Sequence, residues 1–262
     1  MKSNFKKIGL FLVLGLATAV FYSCDEENNG SKGGGDNGGS NVSKIAAANV
    51  INGSTQITTV KAIAYWESGN NYGYDAIAQT RYANNGFTLE LPSTVAAKYL
   101  ELIFEEAPQG VSVSDENAKM LFLDDLRGYD EDEKEIGDFY LEKENDNSEY
   151  YTSWFYVDRD VTIKGEVRDM YDDYEDIDKF DLTLKKGWNV IYDSYVRNYN
   201  SSTKNVYVYS LTSKKPSGVN YSWVFYDNED YKSAQAPARS VENTKSVFSK
   251  LKENKKSRTR KQ

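Results

Sequence analysis

The chain of 262 residues contains no histidine and a single cysteine, Cys24. Without histidine it lacks the side chain that most often acts as a general base or metal ligand near neutral pH. One cysteine can form no intrachain disulfide and no set of thiolate metal ligands. These absences exclude the commonest nucleophile–base pairs and zinc sites. We therefore expect no cofactor and no catalytic residues.

Long leucine- and alanine-rich runs are scarce after the first 23 residues, whereas aromatic residues are abundant, with 21 Tyr, 11 Phe and 4 Trp. Aromatic and β-branched residues suit a pleated, half-buried surface. Short alternating runs broken by turn residues predict an all-β fold, either an antiparallel β-sandwich or a barrel-like meander. Asn84-Asn85-Gly86 and Lys185-Lys186-Gly187 are typical of tight turns. Apart from the C-terminal tail, only Ser93–Lys98 has a helical pattern.

Charge is divided unevenly along the chain, whose net charge is −8. The segment from Asp25 to Tyr231 has 19 basic and 38 acidic residues, whereas residues 232–262 have 10 basic and 2 acidic residues. An acidic body repels phosphates, so we expect no nucleic-acid partner. The basic tail is expected to be a disordered segment or a short helix, with anionic lipid or the acidic body as alternative contacts.

Residues 1–23 have the pattern of a secretory signal, with Lys2, Lys6 and Lys7 before an apolar run from Ile8 to Phe21. This run has 14 residues, and a membrane-spanning helix needs about 20. Cys24 follows directly, and the segment resembles a bacterial lipoprotein leader. The resemblance implies that Cys24 is acylated and anchors the chain to a membrane. The alternative is cleavage after Ala17-Thr18-Ala19, which would release a soluble protein.

The residues after Cys24 carry two further features. Asp25, Glu26 and Glu27 resemble the acidic export signal of surface lipoproteins in Bacteroides-type bacteria, which implies a place in the outer membrane facing the cell exterior. Residues 24–43 are rich in Gly, Asn and Ser and therefore predict a flexible linker. Together these features predict a body held outside the membrane by a lipid tether.

The body divides in two alternative ways. A break at Ala107-Pro108-Gln109-Gly110 predicts an N-terminal β subdomain, 44–110, and a C-terminal meander, 111–231; one continuous domain is the alternative. Residues 86–92 resemble the "G-F-x-L-x-L-P" arm of Ig-like or transthyretin-like domains. Residues 181–189 resemble an "L-x-L-K-x-G-W-N" element of uncharacterised Bacteroides-type lipoproteins. That family implies a fold and a location but no activity.

The densest acidic segment is Asp169–Asp178, with six carboxylates among ten residues. Several oxygen ligands suit Ca²⁺, and the candidate ligands are Asp172, Asp173, Glu175 and Asp176. The segment lacks the spacing and turn glycine of a calcium loop. A solvated acidic loop between strands is therefore the preferred interpretation, with no metal bound.

Aromatic residues around residues 67–73 are candidates for stacking on a sugar ring, namely Trp66, Tyr72 and Tyr74. Aromatic residues of β-sandwiches more often fill the core. We expect a non-catalytic, lipid-anchored surface protein with a binding or interaction role, whose partner is a glycan or another surface protein. The alternatives are a carbohydrate-binding accessory lipoprotein, a soluble secreted protein and a hydrolase that uses two carboxylates.

Overall fold

The computed structural model describes residues 41–69, 71–123, 125–198 and 205–228. Within these ranges the chain forms fifteen strands and one 3₁₀ turn. The strands are β1 (Lys44–Ala47), β2 (Thr59–Ser68), β3 (Asn71–Arg81), β4 (Phe87–Glu90), β5 (Glu101–Leu102), β6 (Val111–Val113), β7 (Lys119–Leu123), β8 (Asp125–Tyr129), β9 (Glu135–Asn145), β10 (Ser148–Val157), β11 (Val161–Met170), β12 (Tyr174–Leu184), β13 (Gly187–Asn198), β14 (Asn205–Thr212) and β15 (Ser222–Asp227).

Most strands belong to one large sheet with the order β3-β2-β8-β9-β10-β13-β14-β12-β11-β6. Strand β15 pairs with β9, β7 pairs with both β10 and β5, and β1 and β4 form a separate two-stranded sheet. The pairings are antiparallel except that of β12 with β14. The predicted all-β, sandwich-like fold is therefore confirmed.

Strand β10 is buried on both of its faces and lies between two hydrophobic cores. All seven residues from Tyr151 to Val157 are buried, because both faces of the strand are covered. Trp154 and Tyr156 enter a first core together with Phe139, Trp188 and Trp223. The alternate residues Phe155 and Val157 enter a second core, whose other members include Ile163, Leu182 and Ile191. One aromatic strand thus contributes to both hydrophobic cores.

Strands on either side of residues 107–110 pair with each other. Strand β2 precedes this segment and pairs with β8, which follows it. The first core likewise combines Leu89 from β4 with Leu126 from β8. Hydrogen bonds and apolar contacts therefore connect the two parts of the body.

The predicted tight turn at Asn84-Asn85-Gly86 is confirmed, with Ala83 and Gly86 hydrogen-bonded to each other across it. Asn84 and Asn85 have φ angles of 53° and 57°, which asparagine tolerates better than most residues. At Lys185-Lys186-Gly187 the chain bends from β12 into β13, which Gly187 begins with a φ of +104°; β12 and β13 do not pair with each other, so this is not a hairpin turn. The helix indicated by the pattern at Ser93–Lys98 does not form. This region has only a single 3₁₀ turn, Ala97–Tyr99, which has no side-chain hydrogen bond at its N-cap.

Candidate functional site

The hairpin of β2 and β3 presents three tyrosines on one face. Tyr65 lies directly opposite Tyr74, and Glu67 lies opposite Tyr72. Residues two apart on a strand point to the same side, so these side chains share a face. Tyr72 is 87% exposed, Tyr74 58% and Tyr65 37%. We call Tyr65, Tyr72 and Tyr74 the hairpin tyrosines.

Arg127 on the neighbouring strand β8 contacts two of the hairpin tyrosines, Tyr65 and Tyr74. Its guanidinium carbon lies 5.5 Å from the centroid of the Tyr74 ring and 5.8 Å from that of Tyr65. The side chain donates to Asp125 and to Glu135, each at 2.8 Å. Burial alone would lower the pKa of Arg127, but attraction to these carboxylates raises it. The arginine therefore stays charged and attracts both rings by cation–π interactions.

The two rings of the cross-strand pair are held in a defined arrangement. The Tyr65 and Tyr74 centroids are 6.0 Å apart with an interplanar angle of 58°. The Tyr65 hydroxyl donates to Asp125 at 2.5 Å. A ligand that stacks on Tyr74 would therefore meet a preorganised surface, with the carboxylate of the exposed Glu67 on the same face.

Trp66 lies on the opposite face of the hairpin from the three tyrosines. Its strand partner is Gly73, where an added Cβ would come within 2.7 Å of the indole ring, so glycine allows the ring to lie close to the strand. Lys98 lies 5.3 Å from the Trp66 ring centroid and forms an ion pair with Asp75 at 2.8 Å. The structure thus brings Tyr72 and Tyr74 together and separates Trp66 from them.

The predicted acidic segment occupies the end of the β11–β12 hairpin. Asp172 and Asp173 are exposed in the turn, while Glu175 accepts a hydrogen bond from Arg168 at 2.9 Å. Asp176 is the next residue of β12, so its side chain points to the other face of the sheet. In the described part of the chain, no group of three or more acidic or cysteine residues is arranged to hold a metal ion.

Tyr65 and Arg127 are members of the site that the sequence analysis did not identify. Tyr65 could have been found by alternation, because it lies two residues before Glu67 and a strand places both side chains on one face. Arg127 gave no comparable signal, since its place beneath the rings depends on the pairing of β2 with β8.

The leader, Cys24, the export residues Asp25, Glu26 and Glu27, and the basic tail lie outside the described residues. Among the residues that are described, none belongs to a helix with the length and apolar character needed to cross a bilayer. No family model, curated protein sequence or solved structure matches the chain.

Proposed function

We propose that this chain is a lipid-anchored surface protein of the outer membrane whose β domain binds an external ligand without catalysis. The observation that carries the binding role is the exposure of Tyr72 and Tyr74 on a hairpin held by Arg127. Large side chains exposed on a supported surface are typical of interaction sites. The anchor is supported by the resemblance of residues 1–27 to a lipoprotein leader with an acidic export signal.

The anchor is tested by metabolic labelling with radioactive palmitate in the native type of host. We expect the wild-type chain to carry label and Cys24→Ala to carry none, because the chain has no other cysteine. Ser31→Ala, in the linker, is the matched control and should keep its label. Protease added to intact cells should remove the labelled protein from the surface.

Two results would contradict the anchored form. An unlabelled wild-type chain whose mature N-terminus is Val20 would establish cleavage after Ala19 and a soluble secreted protein. A labelled chain that resists protease on intact cells, but not on lysed cells, would place the body on the inner side of the outer membrane.

Carbohydrate is the ligand class that we propose for the hairpin tyrosines. Tyrosine offers an apolar ring face for the C–H groups of a sugar and a hydroxyl that forms hydrogen bonds. The exposed Glu67 supplies a carboxylate acceptor on the same face for sugar hydroxyls. A peptide ligand would pack against the same rings, so the two ligand classes, carbohydrate and peptide, are distinguished by experiment.

The carbohydrate proposal is tested with the detergent-solubilised full chain on a glycan array, followed by calorimetry with the best ligand. We expect Tyr72→Ala with Tyr74→Ala to weaken binding by about tenfold or more, because both stacking surfaces are removed. Tyr171→Ala, at the exposed end of the β11–β12 hairpin, is the matched control.

Equal losses of glycan affinity in the hairpin variant and in the Tyr171→Ala control would contradict a specific site at the hairpin tyrosines. No glycan bound by the wild type would exclude carbohydrate from the sugars tested. Shortened sugar products after incubation would instead favour the carboxylate hydrolase.

A further inference from the structure

A line of tyrosines and carboxylates crosses five adjacent strands of the large sheet. Glu144 of β9 lies opposite Glu149 of β10, and Glu149 lies opposite Tyr195 of β13. Tyr195 lies opposite Tyr209 of β14, which lies opposite Asp178 of β12. Residues directly opposite each other in a sheet project from the same face. We call these five residues the tyrosine–carboxylate row.

The rows on either side add further acidic side chains to the same face. In the next row on one side, Glu142 lies opposite Tyr151, which lies opposite Asp193. In the next row on the other side, Asp176 of β12 lies opposite Asp169 of β11. This accumulation of negative charge favours a cationic ligand.

Glu149 is the buried carboxylate of the row. The residue is 4% exposed, and among the described residues no partner donates a hydrogen bond to its Oε2 atom. Burial raises the pKa of Glu149, the attraction of Arg197 opposes this rise, repulsion from Glu144 adds to it, and a hydrogen bond with the Tyr151 side chain lowers it. An unpartnered carboxylate oxygen in such a place is costly, and a ligand that donates to it would recover that cost.

Arg197 shows how this part of the face holds a cation. Its Nη2 atom donates to Oε1 of Glu149 at 2.5 Å. Its guanidinium carbon also lies 5.0 Å from the centroid of the Tyr195 ring. The Tyr195 and Tyr209 rings are stacked, with centroids 4.4 Å apart and an interplanar angle of 22°. A carboxylate and an aromatic face thus contact the same positive group, as in cation–π recognition sites.

The arrangement suits an organic ammonium group better than a metal ion. Divalent cations such as Ca²⁺ take six to eight oxygen ligands, and the described residues hold no acidic group of that kind. An ammonium group has three donors and needs only one or two carboxylate oxygens together with an aromatic face.

The order of residues along the row indicates the shape of the ligand. Glu149 and Asp178 are separated by the strands that carry Tyr195 and Tyr209. Three strand spacings amount to about 14 Å, which an extended chain with several amino groups can span. Carboxylates at the two ends match ammonium groups, and the rings between them match a methylene chain.

We propose that the tyrosine–carboxylate row binds a linear polyamine. One ammonium group donates to Oε2 of Glu149, the alkyl chain crosses the strands that carry Tyr195 and Tyr209, and another ammonium group reaches Asp178. The ligand enters past Glu144, which is exposed, and Arg197, whose side chain is 31% exposed. Both are long side chains that can change rotamer. This site shares no residue with the hairpin tyrosines and does not depend on carbohydrate binding.

The test is calorimetric titration of the full chain with spermine at physiological ionic strength. We expect binding of one spermine per chain, weakened by about tenfold in Glu149→Gln because a charge-assisted hydrogen bond is lost. Tyr209→Ala should weaken binding by a similar factor, whereas Tyr209→Phe keeps the ring and should stay within about twofold of the wild type. Glu131→Gln makes the same charge change in the exposed β8–β9 turn and should leave the affinity unchanged.

Each variant is first compared with the wild type by urea denaturation, and Asp178→Asn replaces Glu149→Gln if that variant does not fold. No spermine binding by the wild type would overturn the proposal. An equal loss of spermine affinity in Glu131→Gln would show that binding depends only on the overall negative charge. Tighter binding of trilysine than of spermine would exclude a free polyamine as the ligand. The Tyr72→Ala, Tyr74→Ala variant should bind spermine normally, which separates this test from that of the carbohydrate site.

Discussion

Replacement of Trp223 by alanine is expected to lower the free energy of unfolding by about 3–5 kcal/mol. Trp223 is 7% exposed and belongs to the first core. Its ring stacks on that of Trp154, with centroids 5.9 Å apart and an interplanar angle of 7°. Phe87 meets it edge-on at 5.3 Å. Alanine would therefore leave a large cavity between strands that are distant in sequence.

A hydrogen bond adds to the contribution of Trp223. The indole nitrogen donates to the carbonyl oxygen of Ala46 at 3.0 Å. Trp223→Phe keeps most of the packing but leaves this carbonyl without its donor, so we expect an intermediate loss of about 1–3 kcal/mol. The comparison of the two variants thus separates lost packing from the lost hydrogen bond.

The measurement is urea denaturation followed by far-ultraviolet circular dichroism, so that loss of a tryptophan does not disturb the signal. Tyr72→Ala is the matched control, because its side chain is 87% exposed and it should change stability by no more than about 0.5 kcal/mol. A loss below about 1 kcal/mol in Trp223→Ala would contradict its place in the core.

The strand content of this chain was predictable because its signals are local. Strand β4 alternates between buried and exposed residues from Phe87 to Glu90, which the sequence pattern already contained. The turn at Asn84-Asn85 was predictable because asparagine accepts a positive φ. Such features depend on residues close together in the chain.

The pairing of strands was not predictable in the same way. The apolar content of residues Ala118–Leu126 is typical of one strand, but the structure has two separate strands there, β7 and β8. Leu123 pairs with Trp154 of β10, whereas Leu126 pairs with Phe139 of β9. Which partner each half takes depends on cores built from distant segments, so local pattern gave no sign of the division.

The candidate sites follow the same division between local and distant information. Tyr72 and Tyr74 are two residues apart on one strand, so their shared face follows from the strand period. Trp66 was grouped with them because it is near in sequence, yet the same period places it on the other face. No local sequence pattern marked Glu149 as a site residue, because the tyrosine–carboxylate row is assembled from five strands that are distant in the sequence.

Replacement of Gly165 by alanine is expected to lower the free energy of unfolding by about 2–5 kcal/mol, from backbone strain and overpacking together. Gly165 has a φ of +130°, a value that residues with a Cβ rarely adopt. An added Cβ would lie 2.0 Å from the carbonyl oxygen of Gly110, a backbone atom that no rotamer change can move. Since Gly165 pairs with Val111, strand β6 would be pushed away from β11.

Gly218→Ala separates the two causes, because Gly218 has a φ of +77° but no heavy atom within 4 Å of an added Cβ. In this control the free energy of unfolding should fall only by the cost of placing alanine in a left-handed backbone conformation, about 1–2 kcal/mol. The additional loss in Gly165→Ala, measured from urea denaturation of both variants, then reports the contact with Gly110. Faster amide hydrogen exchange in Val111–Val113 should accompany that loss, because these residues depend on β11 for their strand pairing. Equal stability of the two alanine variants would contradict the close approach of β6 to β11.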